Sequence, residues 1–385
     1  MSIKNNIKKS TVAISTHYLI YSASQALRDF LRSQGCSFLL YISHPLPIDD
    51  TLGDTSFCEV SHGDRIVHRF TADRRFTSLV ISSLYETYLT VSWVLWTGRH
   101  VDLFVAVDNL NAFQAIVLKW IGRVDTVIYY TIDMFPKRFE NKFLNWLYIQ
   151  LDRFCVRYAD ETWNVSGKMK DVRGDGGSGR QYPVPIGIWY DKAPRKSFSA
   201  IDRKRLIFVG HLVPHMGVDL VIRAMPEIIK KIPGVTLDII GGGEELSRLQ
   251  SLSRNLHVTD VIKFHGWVRS RKRLESLLAC GAVGLATFNT DILDEKVRNA
   301  DPGKIKDYMQ AGMPVIATDA LSNGHDITAA HAGIIIPYTE DALVDAVTAL
   351  LTGKDMLQDF RRNALAYVQQ FDYATLFAQH LRRHL

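Results

Sequence analysis

The chain has 385 residues, of which 47% are hydrophobic and 22% are charged, a balance that is typical of globular proteins and excludes an intrinsically disordered chain. At about 150 residues per domain, this length predicts two domains. The net charge of +6 is mild. The chain has no basic run interleaved with aromatic residues, the pattern that would indicate a nucleic-acid partner. The excess charge suits phosphates or an anionic lipid surface, although ordinary solvated lysines and arginines explain most of it.

The first half alternates strand-like and helix-like segments, which predicts a parallel sheet covered by helices on both faces. The predicted strands are 10–16, 37–47, 101–107, 125–133 and 161–166, and the predicted helices are 22–35, 76–98, 111–122 and 141–159. The basic start of the chain has an apolar run too short for a signal peptide. The four cysteines show no CxxC spacing, so we expect neither a disulfide framework nor a zinc site.

Segment 76–98 is long enough to span a membrane, with Glu86 as its only charged residue. A charge near the middle of a spanning helix costs about 2.5–3.5 kcal/mol on insertion scales. The segment is also rich in serine and threonine, and a strand-like run follows it directly. We therefore expect a buried or surface-seated helix in a soluble α/β unit.

The second half begins a new α/β unit after a proline-bearing stretch with linker composition. The predicted strands are 205–210, 235–243, 261–268, 281–288 and 333–337, and the predicted helices include 218–234, 244–256, 270–280 and 373–385. The predicted organisation is an N-terminal domain at 1–190, a linker at 191–204 and a C-terminal domain at 205–372.

The segment "NADPGKIKDYMQAGMPVIATD" at 299–319 places a turn before a short helix and then an apolar strand. Asp301 can cap this helix with Pro302 at its first position, which leaves the amides of Gly303 and Lys304 unpaired. Such a helix start attracts anions, and Lys304 adds a full charge. Asp307 shares the helix face and can accept hydrogen bonds from two sugar hydroxyls. A plain capped helix between two strands is the alternative.

Four segments, "FVGHLVPHMGVDLVIRAM", "VTLDIIGGGEELSRL", "VIKFHGWV" and "KIKDYMQAGMPVIATD", follow one another as in a known family. Together they resemble the retaining glycosyltransferases of family 4, also called group 1. The first half resembles the acceptor-side domain of that family more loosely. The resemblance implies an α/β chain of GT-B architecture, with two Rossmann-like domains facing a cleft. It also implies that the last helix, 373–385, crosses back to complete the N-terminal domain.

The resemblance implies roles for residues of the C-terminal domain. The ribose-binding acid of the family falls on Asp307, its partner glutamate falls on Asn299, and the diphosphate-binding amides fall on Gly303 and Lys304. The family usually binds phosphate with a clamp of one arginine and one lysine. This chain departs from that pattern, because Gly210 is followed by His211 and the lysine is replaced by Met216. Either Lys304 and a partly protonated His211 compensate, or the chain has lost or narrowed its use of a donor.

Aromatic and glycine residues near these segments have both a ligand-binding and a structural interpretation. Trp267 falls where the family's nucleobase stacks, but it can equally be an ordinary aromatic residue at the end of a strand. The triple glycine at 241–243 can be only a tight turn. His211 and His215 have zinc-binding spacing for a helix, but Pro214 makes this segment a loop, so we expect no metal site.

Three candidate residues lie in the N-terminal domain. Asp133 ends a strand, where a polar residue of the family contacts the donor sugar, although a helix cap is equally plausible. His17 and Ser22 follow the first strand, where the family has a loop of small residues. His17 can instead be an ordinary turn residue. Lys137 and Arg138 can contact a phosphorylated lipid acceptor or simply face water.

The sequence thus favours a metal-independent, retaining hexosyltransferase whose donor substrate is a nucleotide-diphospho-sugar, with no cofactor. The acceptor is expected to be a glycan or lipid-linked sugar of cell-surface polysaccharide or lipopolysaccharide synthesis, at the cytoplasmic face of the membrane. The alternatives are another GT-B enzyme, such as a sugar-nucleotide epimerase or hydrolase, and a binding protein that has lost catalysis. Candidate residues for shallow membrane contact are Trp93, Trp96, Trp120, Trp146, Arg74, Arg75, Lys137 and Arg138.

Overall fold

A computed structural model describes residues 3–17, 21–45, 54–73, 78–132, 137–173, 180–293, 302–320 and 323–385. The chain divides into two units. The first unit comprises Met1–Ile186 and Tyr373–Leu385, and the second comprises Gly187–Asp372. The proline-bearing stretch after residue 187 therefore lies in the second unit rather than between the two.

The first unit contains an eight-stranded sheet with helices between most of its strands. Its elements are α1 (Ile3–Ile7), β1 (Thr11–His17), α2 (Ala23–Ser33), β2 (Phe38–His44), β3 (Thr55–His62), β4 (Arg65–Asp73), α3 (Leu79–Trp96), β5 (Val101–Val107), α4 (Asn109–Trp120), β6 (Val124–Thr131), α5 (Lys142–Tyr158), β7 (Glu161–Asn164), α6 (Lys168–Arg173) and β8 (Arg180–Pro183), with the C-terminal helix Tyr373–Leu381.

The strand order of this sheet is β4-β3-β2-β1-β5-β6-β7-β8. The pairs β2-β1, β1-β5, β5-β6, β6-β7 and β7-β8 are parallel, as predicted. At one edge, β3 pairs antiparallel with both β2 and β4, and β3 and β4 form a hairpin. This hairpin was not predicted from the sequence, because most of β4 is exposed and polar or charged residues interrupt its apolar ones, so it has no continuous apolar run. Exposed polar and charged side chains on an edge strand also discourage pairing with other chains.

The strand order reverses between β1 and β5, which are hydrogen-bonded neighbours. Right-handed crossovers therefore place α2 on one face of the sheet and α4 on the other. Helix α4 packs against α3 and α5 on its face, and the C-terminal helix packs against α2, with the rings of Phe30 and Phe377 5.7 Å apart. Among the helices that the structure describes, none has both the length and the apolar character needed to cross a bilayer.

The second unit has a six-stranded sheet in which every strand pair is parallel. Its elements are β9 (Arg205–Val209), α7 (Val218–Lys231), β10 (Thr236–Ile240), α8 (Leu246–Asn255), β11 (Ile262–Gly266), α9 (Arg271–Leu278), β12 (Val283–Ala286), α10 (Gly303–Gln310), β13 (Val315–Thr318), α11 (Gly324–Ala329), β14 (Gly333–Ile336), α12 (Glu340–Thr352) and α13 (Lys354–Gln369), and the C-terminal helix of the first unit is α14.

The strand order of the second sheet is β11-β10-β9-β12-β13-β14, so the order reverses between β9 and β12. This is the arrangement of dinucleotide-binding sheets, in which ligands bind beyond the carboxyl ends of the strands at the point of reversal. The four inner strands are short and almost entirely buried because helices cover both faces. The fold therefore indicates the loops that follow β9, β10 and β12 as the place of a ligand site.

Candidate functional site

Tyr308 attaches α10 to the reversal point of the second sheet. Its buried hydroxyl accepts a hydrogen bond from the Val209 amide at 2.6 Å and donates to the Leu285 carbonyl at 3.1 Å, so it joins the ends of β9 and β12. Gly284 makes room for the ring, since a Cβ there would lie 2.3 Å from Tyr308 Cγ. The sequence analysis missed this role. A glycine inside the apolar strand β12 was the available signal of a close approach.

Helix α10 begins at the reversal point. Gly303 is its first residue and Pro302 occupies the N-cap, so the predicted first helical position of Pro302 is wrong by one residue. Asp301, the predicted cap, lies outside the described residues. The first-turn amides of an α-helix, here including those of Gly303 and Lys304, have no acceptor within the helix. The start of α10 is therefore suited to an anion.

Lys304 projects into an apolar and aromatic environment at the same point. Its Nζ lies 4.7 Å from the ring centre of Phe208, 4.3 Å from that of Phe288 and 3.6 Å from the Sδ of Met216. Burial lowers the pKa of Lys304 to about 7. Burial therefore opposes the full positive charge that the sequence predicts for Lys304. Near pH 7 the amine is divided between its charged and neutral forms, because few polar groups solvate it.

Gly210, which begins the predicted clamp, and Met216, which replaces its lysine, both lie beside Lys304. A Cβ built on Gly210 would be 3.7 Å from Lys304 Nζ, and Met216 contacts the same nitrogen through its sulfur. The structure therefore brings Lys304 to the place where the sequence lacks the clamp residue.

Asp307 is held by two donors. Arg271 donates from Nη2 to its Oδ1 at 2.7 Å, and Gln310 donates from Nε2 to the same oxygen at 2.9 Å. Burial raises the pKa of Asp307, and the charge and hydrogen bond of Arg271 oppose this shift. Arg271 was not identified from the sequence, because it lies in a charged helical run whose members look equally solvated. It brings a permanent positive charge next to α10.

The loops after β9 and β10 pack backbone against backbone. Gly210 donates to the Ile240 carbonyl at 3.0 Å, and Leu212 donates to the Gly242 carbonyl at 2.9 Å. A Cβ on Gly241 would lie only 1.8 Å from the Gly210 oxygen. The triple glycine is therefore more than a tight turn, because side chains there would separate the two loops.

Trp267, after β11, covers these loops with an exposed ring. A Cβ on Gly242 would lie 2.6 Å from Trp267 Nε1, and the ring centre of His211 is 5.6 Å away. The indole is 59% exposed, so its apolar ring faces solvent. His211, Trp267 and Lys304 thus all lie on the loops and helix at the carboxyl end of this sheet. Among the described residues, no group of three acidic, histidine or cysteine side chains could hold a metal ion.

His17 and Ser22 lie in the first unit. Ser22 is the N-cap of α2, and its amide donates to the Gln25 side chain at 2.9 Å, which is a structural role. His17 ends β1, with Nδ1 bound to the Asp108 carboxylate and Nε2 bound to Glu86 Oε2 at 3.2 Å. Asp133 and Asn299, the other two predicted site residues, lie outside the described residues.

The ion pairs around His17 change its chemistry. Burial alone would lower the pKa of His17, but the charges and hydrogen bonds of Asp108 and Glu86 outweigh it and raise the pKa to about 10. Asp108 has φ 71° and ψ 168°, a backbone region that is almost exclusive to glycine and costs about 1–3 kcal/mol for other residues. The sequence analysis considered Glu86 only as a charge in a helix and did not single out Asp108.

Residues 190–366, nearly the whole second unit, match the family model described as glycosyl transferases group 1. A 178-residue segment is 28% identical to the GDP-mannose-dependent alpha-(1-6)-phosphatidylinositol monomannoside mannosyltransferase of Mycolicibacterium smegmatis. That segment covers 44% of this chain and 43% of the relative, so the match spans less than half of either protein. The second unit therefore carries the sequence pattern of group 1 glycosyltransferases.

Two solved structures extend the similarity to the whole chain. Sucrose-phosphate synthase from Thermosynechococcus elongatus has a TM-score of 0.70 at 13% identity, covering 96% of this chain and 98% of its own. HepE from Anabaena, in complex with UDP, has a TM-score of 0.69 at 16% identity, covering 97% and 99%. At these identities the comparison concerns the fold, which is the GT-B fold of glycosyltransferases, as predicted.

Proposed function

We propose that this protein is a glycosyltransferase that moves a hexose from a nucleotide-diphospho-sugar to a glycan or lipid-linked acceptor. The observation that carries the proposal is the position of Lys304. It lies at the reversal point of a dinucleotide-type sheet, beside Gly210 and at the start of α10. In such sheets this is where phosphates bind. The match of residues 190–366 to group 1 glycosyltransferases supports the same conclusion.

The donor diphosphate binds the amides of Gly303 and Lys304 and the Lys304 amine. An anion beside Lys304 favours its charged form, so binding restores the charge that burial suppresses. These groups stabilise the negative charge that develops on the leaving diphosphate, and the reaction as proposed therefore requires no metal ion. Arg271, next to α10, adds to the positive field while it holds Asp307.

The nucleoside half of the donor contacts Trp267 and Asp307. The exposed indole offers an apolar face on which a base can stack. The carboxylate of Asp307 accepts hydrogen bonds from the ribose hydroxyls, in competition with Arg271 and Gln310 for its Oδ1. This competition predicts that Arg271 changes partner when the donor binds.

The proposed chemistry is a transfer with retention, as the resemblance to family 4 implies. Asp133, His211 and Asn299 are the candidate groups around the transferred sugar, and the leaving diphosphate helps to deprotonate the incoming hydroxyl. HepE in complex with UDP supports a nucleotide donor for this fold. The printed activity of the mycobacterial relative, which acts on a phosphatidylinositol mannoside, supports a lipid-linked acceptor.

An apolar surface of the first unit supports peripheral membrane contact at the cytoplasmic face, as expected for synthesis of cell-surface polysaccharide or lipopolysaccharide. Helix α3 packs against α4, and α4 packs against α5, so these helices share one face of the sheet. Their exposed large apolar side chains are Val80, Ile81, Leu84, Tyr88, Leu95, Trp96, Trp120, Phe143, Trp146, Leu147 and Tyr158. Aromatic and aliphatic side chains of this kind insert at the lipid interface.

One of the residues predicted for membrane contact does not fit this surface. Trp93 is half-buried and stacks on His44, with ring centres 6.1 Å apart, so it belongs to the interior of the unit. Arg74 and Arg75 lie outside the described residues. Lys137 and Arg138 are exposed near the start of α5 and remain candidates for the headgroup region.

Isothermal calorimetry with UDP, GDP, ADP and dTDP tests the proposal. At least one nucleotide should bind the wild-type protein, and Lys304→Ala and Asp307→Ala should weaken it. Lys272→Ala, which removes an exposed lysine of α9 in the same unit, is the matched control and should bind as the wild type does. If no nucleotide binds, or if both variants bind normally, the proposed donor site is wrong.

Product analysis with the corresponding nucleotide sugars separates this function from its rivals. A transferase releases the nucleoside diphosphate and extends a glycoside acceptor, whereas a hydrolase releases free sugar and an epimerase converts the sugar nucleotide without releasing its diphosphate. A binding protein that has lost catalysis, the rival favoured by the absent clamp, binds the nucleotide sugar and leaves it intact.

A further inference from the structure

The second unit has a surface cavity of about 400 Å³ between α13 and the segment 190–198. Among the described residues that line it, three are basic and none is acidic. Tyr190, Phe198 and Leu365 form an apolar part of the same lining. Cavities of about 300–1,000 Å³ are typical of small-molecule sites. The lining therefore favours a ligand that combines negative charge with an apolar part.

The cavity is separate from the proposed donor site. Helix α13 packs against α10, and a Cβ built on Gly312, just after α10, would lie 3.0 Å from Nη2 of Arg361. The donor site is at the opposite end of α10, at Gly303 and Lys304. At 1.5 Å per residue, the eight residues of α10 separate its two ends by about 12 Å. None of the residues that line the cavity belongs to the donor site.

Arg361, one of the basic residues of the cavity, is only 6% exposed. In the described part of the chain its guanidinium donates to two backbone carbonyls, from Nη1 to Gly281 at 3.3 Å and from Nη2 to Lys196 at 3.5 Å. Both distances are longer than those of ordinary N–H···O hydrogen bonds. A guanidinium has five N–H groups, so most of its donors find no acceptor among these residues.

The burial of Arg361 is not compensated by an acidic side chain. Arginine is rarely buried without such a partner, because removal of its charge from water costs free energy that neutral carbonyls offset only in part. Burial accordingly lowers the pKa of Arg361 to about 10, which still leaves the guanidinium charged near pH 7. A buried positive charge with unused donors beside a cavity indicates an anion site.

A second basic residue of the cavity also lacks a carboxylate partner. Lys196 is exposed, and its Nζ lies 3.1 Å from the Sγ of Cys280 rather than beside an acid. Arg362 does pair with an acid, Asp359, at 3.0 Å, but both side chains are more than half exposed, where an ion pair is weak. Arg361 and Lys196 therefore supply two positive charges that no described carboxylate pairs with.

We propose that this cavity binds a small organic phosphate monoester, with its phosphate on Arg361 and Lys196 and its carbon-containing part on Tyr190 and Phe198. A phosphate monoester carries about 1.5 to 2 negative charges near pH 7, which matches two unpaired cations better than a single carboxylate does. The planar guanidinium also suits phosphate oxygens. Inorganic phosphate would leave the apolar lining in contact with water. This binding site is additional to the proposed transferase function and does not depend on it.

Isothermal calorimetry of the full chain with phenyl phosphate, glucose 6-phosphate and inorganic phosphate tests the site, with phenol as the uncharged probe. We expect at least one of the two monoesters to bind more tightly than inorganic phosphate, and phenol to bind far more weakly than phenyl phosphate. The same affinities are expected in Lys304→Ala, whose donor site is impaired. The proposal is overturned if neither monoester binds, or if phenol binds as tightly as phenyl phosphate.

Arg361→Met and Lys196→Met are the decisive variants, because each removes one unpaired charge and keeps an apolar side chain. Each should weaken the tighter monoester at least about tenfold, the usual effect of losing a hydrogen bond to a charged group. Lys354→Met is the matched control, since Lys354 is an exposed lysine of α13 that does not line the cavity. Unchanged binding in either cavity variant, or an equal loss in the control, contradicts the assignment.

Thermal denaturation separates ligand binding from a purely structural role of Arg361. The monoester should raise the melting temperature of the wild type and of Lys354→Met, but not that of Arg361→Met. A purely structural role predicts a lower melting temperature for Arg361→Met with an undiminished rise on addition of the monoester, which would refute the proposal. Lys196→Met changes an exposed side chain, so it provides the same test if Arg361→Met does not fold.

The results also distinguish failure of this inference from failure of the proposed function. A protein that binds the monoester but no nucleotide would contradict the proposed function alone. A protein that binds a nucleotide but no monoester would contradict only the present inference. Loss of monoester binding in Lys304→Ala, with normal binding in Arg361→Met, would place the phosphate at the donor site and likewise refute the cavity as its site.

Discussion

The two sheets reverse their strand order at corresponding places. The basic side chain at that place is paired with carboxylates in the first sheet and is surrounded by apolar and aromatic groups in the second. In the first unit His17 lies between two carboxylates, and in the second Lys304 lies among Phe208, Phe288 and Met216. The partners of His17 raise its pKa to about 10, whereas unopposed burial lowers the pKa of Lys304 to about 7. The imidazole of His17 thus pairs with carboxylates of the protein, whereas aromatic rings and a thioether surround the Lys304 amine.

This difference shows that the same kind of sheet can place a cation at its reversal point in two different environments. Position in the fold determines only that a ligand site is available at the carboxyl ends of the strands. Local residues decide whether a cation there is already paired within the protein. Each site can therefore be disrupted without loss of the other, and the predictions below use that independence.

The largest expected effect is that of Lys304→Ala on nucleotide affinity. Removal of the amine should weaken a bound nucleoside diphosphate by about 1.5–3 kcal/mol, or roughly 10- to 150-fold, because a hydrogen bond to a charged phosphate is lost. Calorimetry of Lys304→Ala and Glu86→Gln should show this loss in the first variant only. An equal loss in both would mean that the two sites are not independent.

The next effect is that of Tyr308→Phe on stability. Without the hydroxyl, the buried Val209 amide and Leu285 carbonyl lose their partner, and the free energy of unfolding should fall by about 1–3 kcal/mol. Urea denaturation measures the change. Tyr338→Phe is the control, because that hydroxyl donates to the Asp219 side chain at 3.1 Å in a half-buried setting and should matter less. The account of how α10 is held fails if the two variants lose stability equally.

The sequence predicts the buried strands of this architecture better than its long-range side-chain contacts. Strands 205–210 and 281–288 were predicted close to β9 and β12, because continuous apolar runs directly reflect burial. The hairpin of β3 and β4 was missed because it lies at an edge and lacks such a run. The pairing of Arg271 with Asp307 was also missed, since 36 residues separate them and only the fold brings them together.

The protonation of the candidate residues was predicted least well. From the sequence, Lys304 is expected to carry a full charge, and His17 is expected to bind substrate or to be an ordinary turn residue. The environment that shifts each pKa comes from distant segments. Residues 208, 216 and 288 surround the lysine, and residues 86 and 108 surround the histidine. Such shifts require the packing of several elements and leave no local pattern.

A smaller effect is expected for Trp267→Ala. Loss of the stacking surface should weaken nucleotide binding about tenfold, while the free energy of unfolding should change by less than about 0.5 kcal/mol, because the indole is exposed. Calorimetry and urea denaturation of the same preparation separate the two quantities. A strong loss of stability with little loss of affinity would identify Trp267 as a structural cover for the glycine loops.

The pH dependence of stability should have opposite signs at the two sites. The raised pKa of His17 contributes stability that is complete below pH 6.5 and is lost as the pH rises towards about 10. For Lys304 the unfolded chain binds more protons between about pH 7 and 10.5, so its contribution becomes more favourable over that range. The melting temperature should therefore fall less steeply between pH 6 and pH 10 for His17→Gln, and more steeply for Lys304→Met, than for the wild type. Identical slopes for all three proteins would show that neither pKa is displaced.

A crystal structure of the full-length protein with its tightest-binding nucleoside diphosphate tests the central claim most directly. The account predicts phosphate oxygens within hydrogen-bond distance of the Gly303 and Lys304 amides and of Lys304 Nζ, beside Gly210. A nucleotide bound elsewhere, with Lys304 still enclosed by Phe208, Phe288 and Met216, would contradict it.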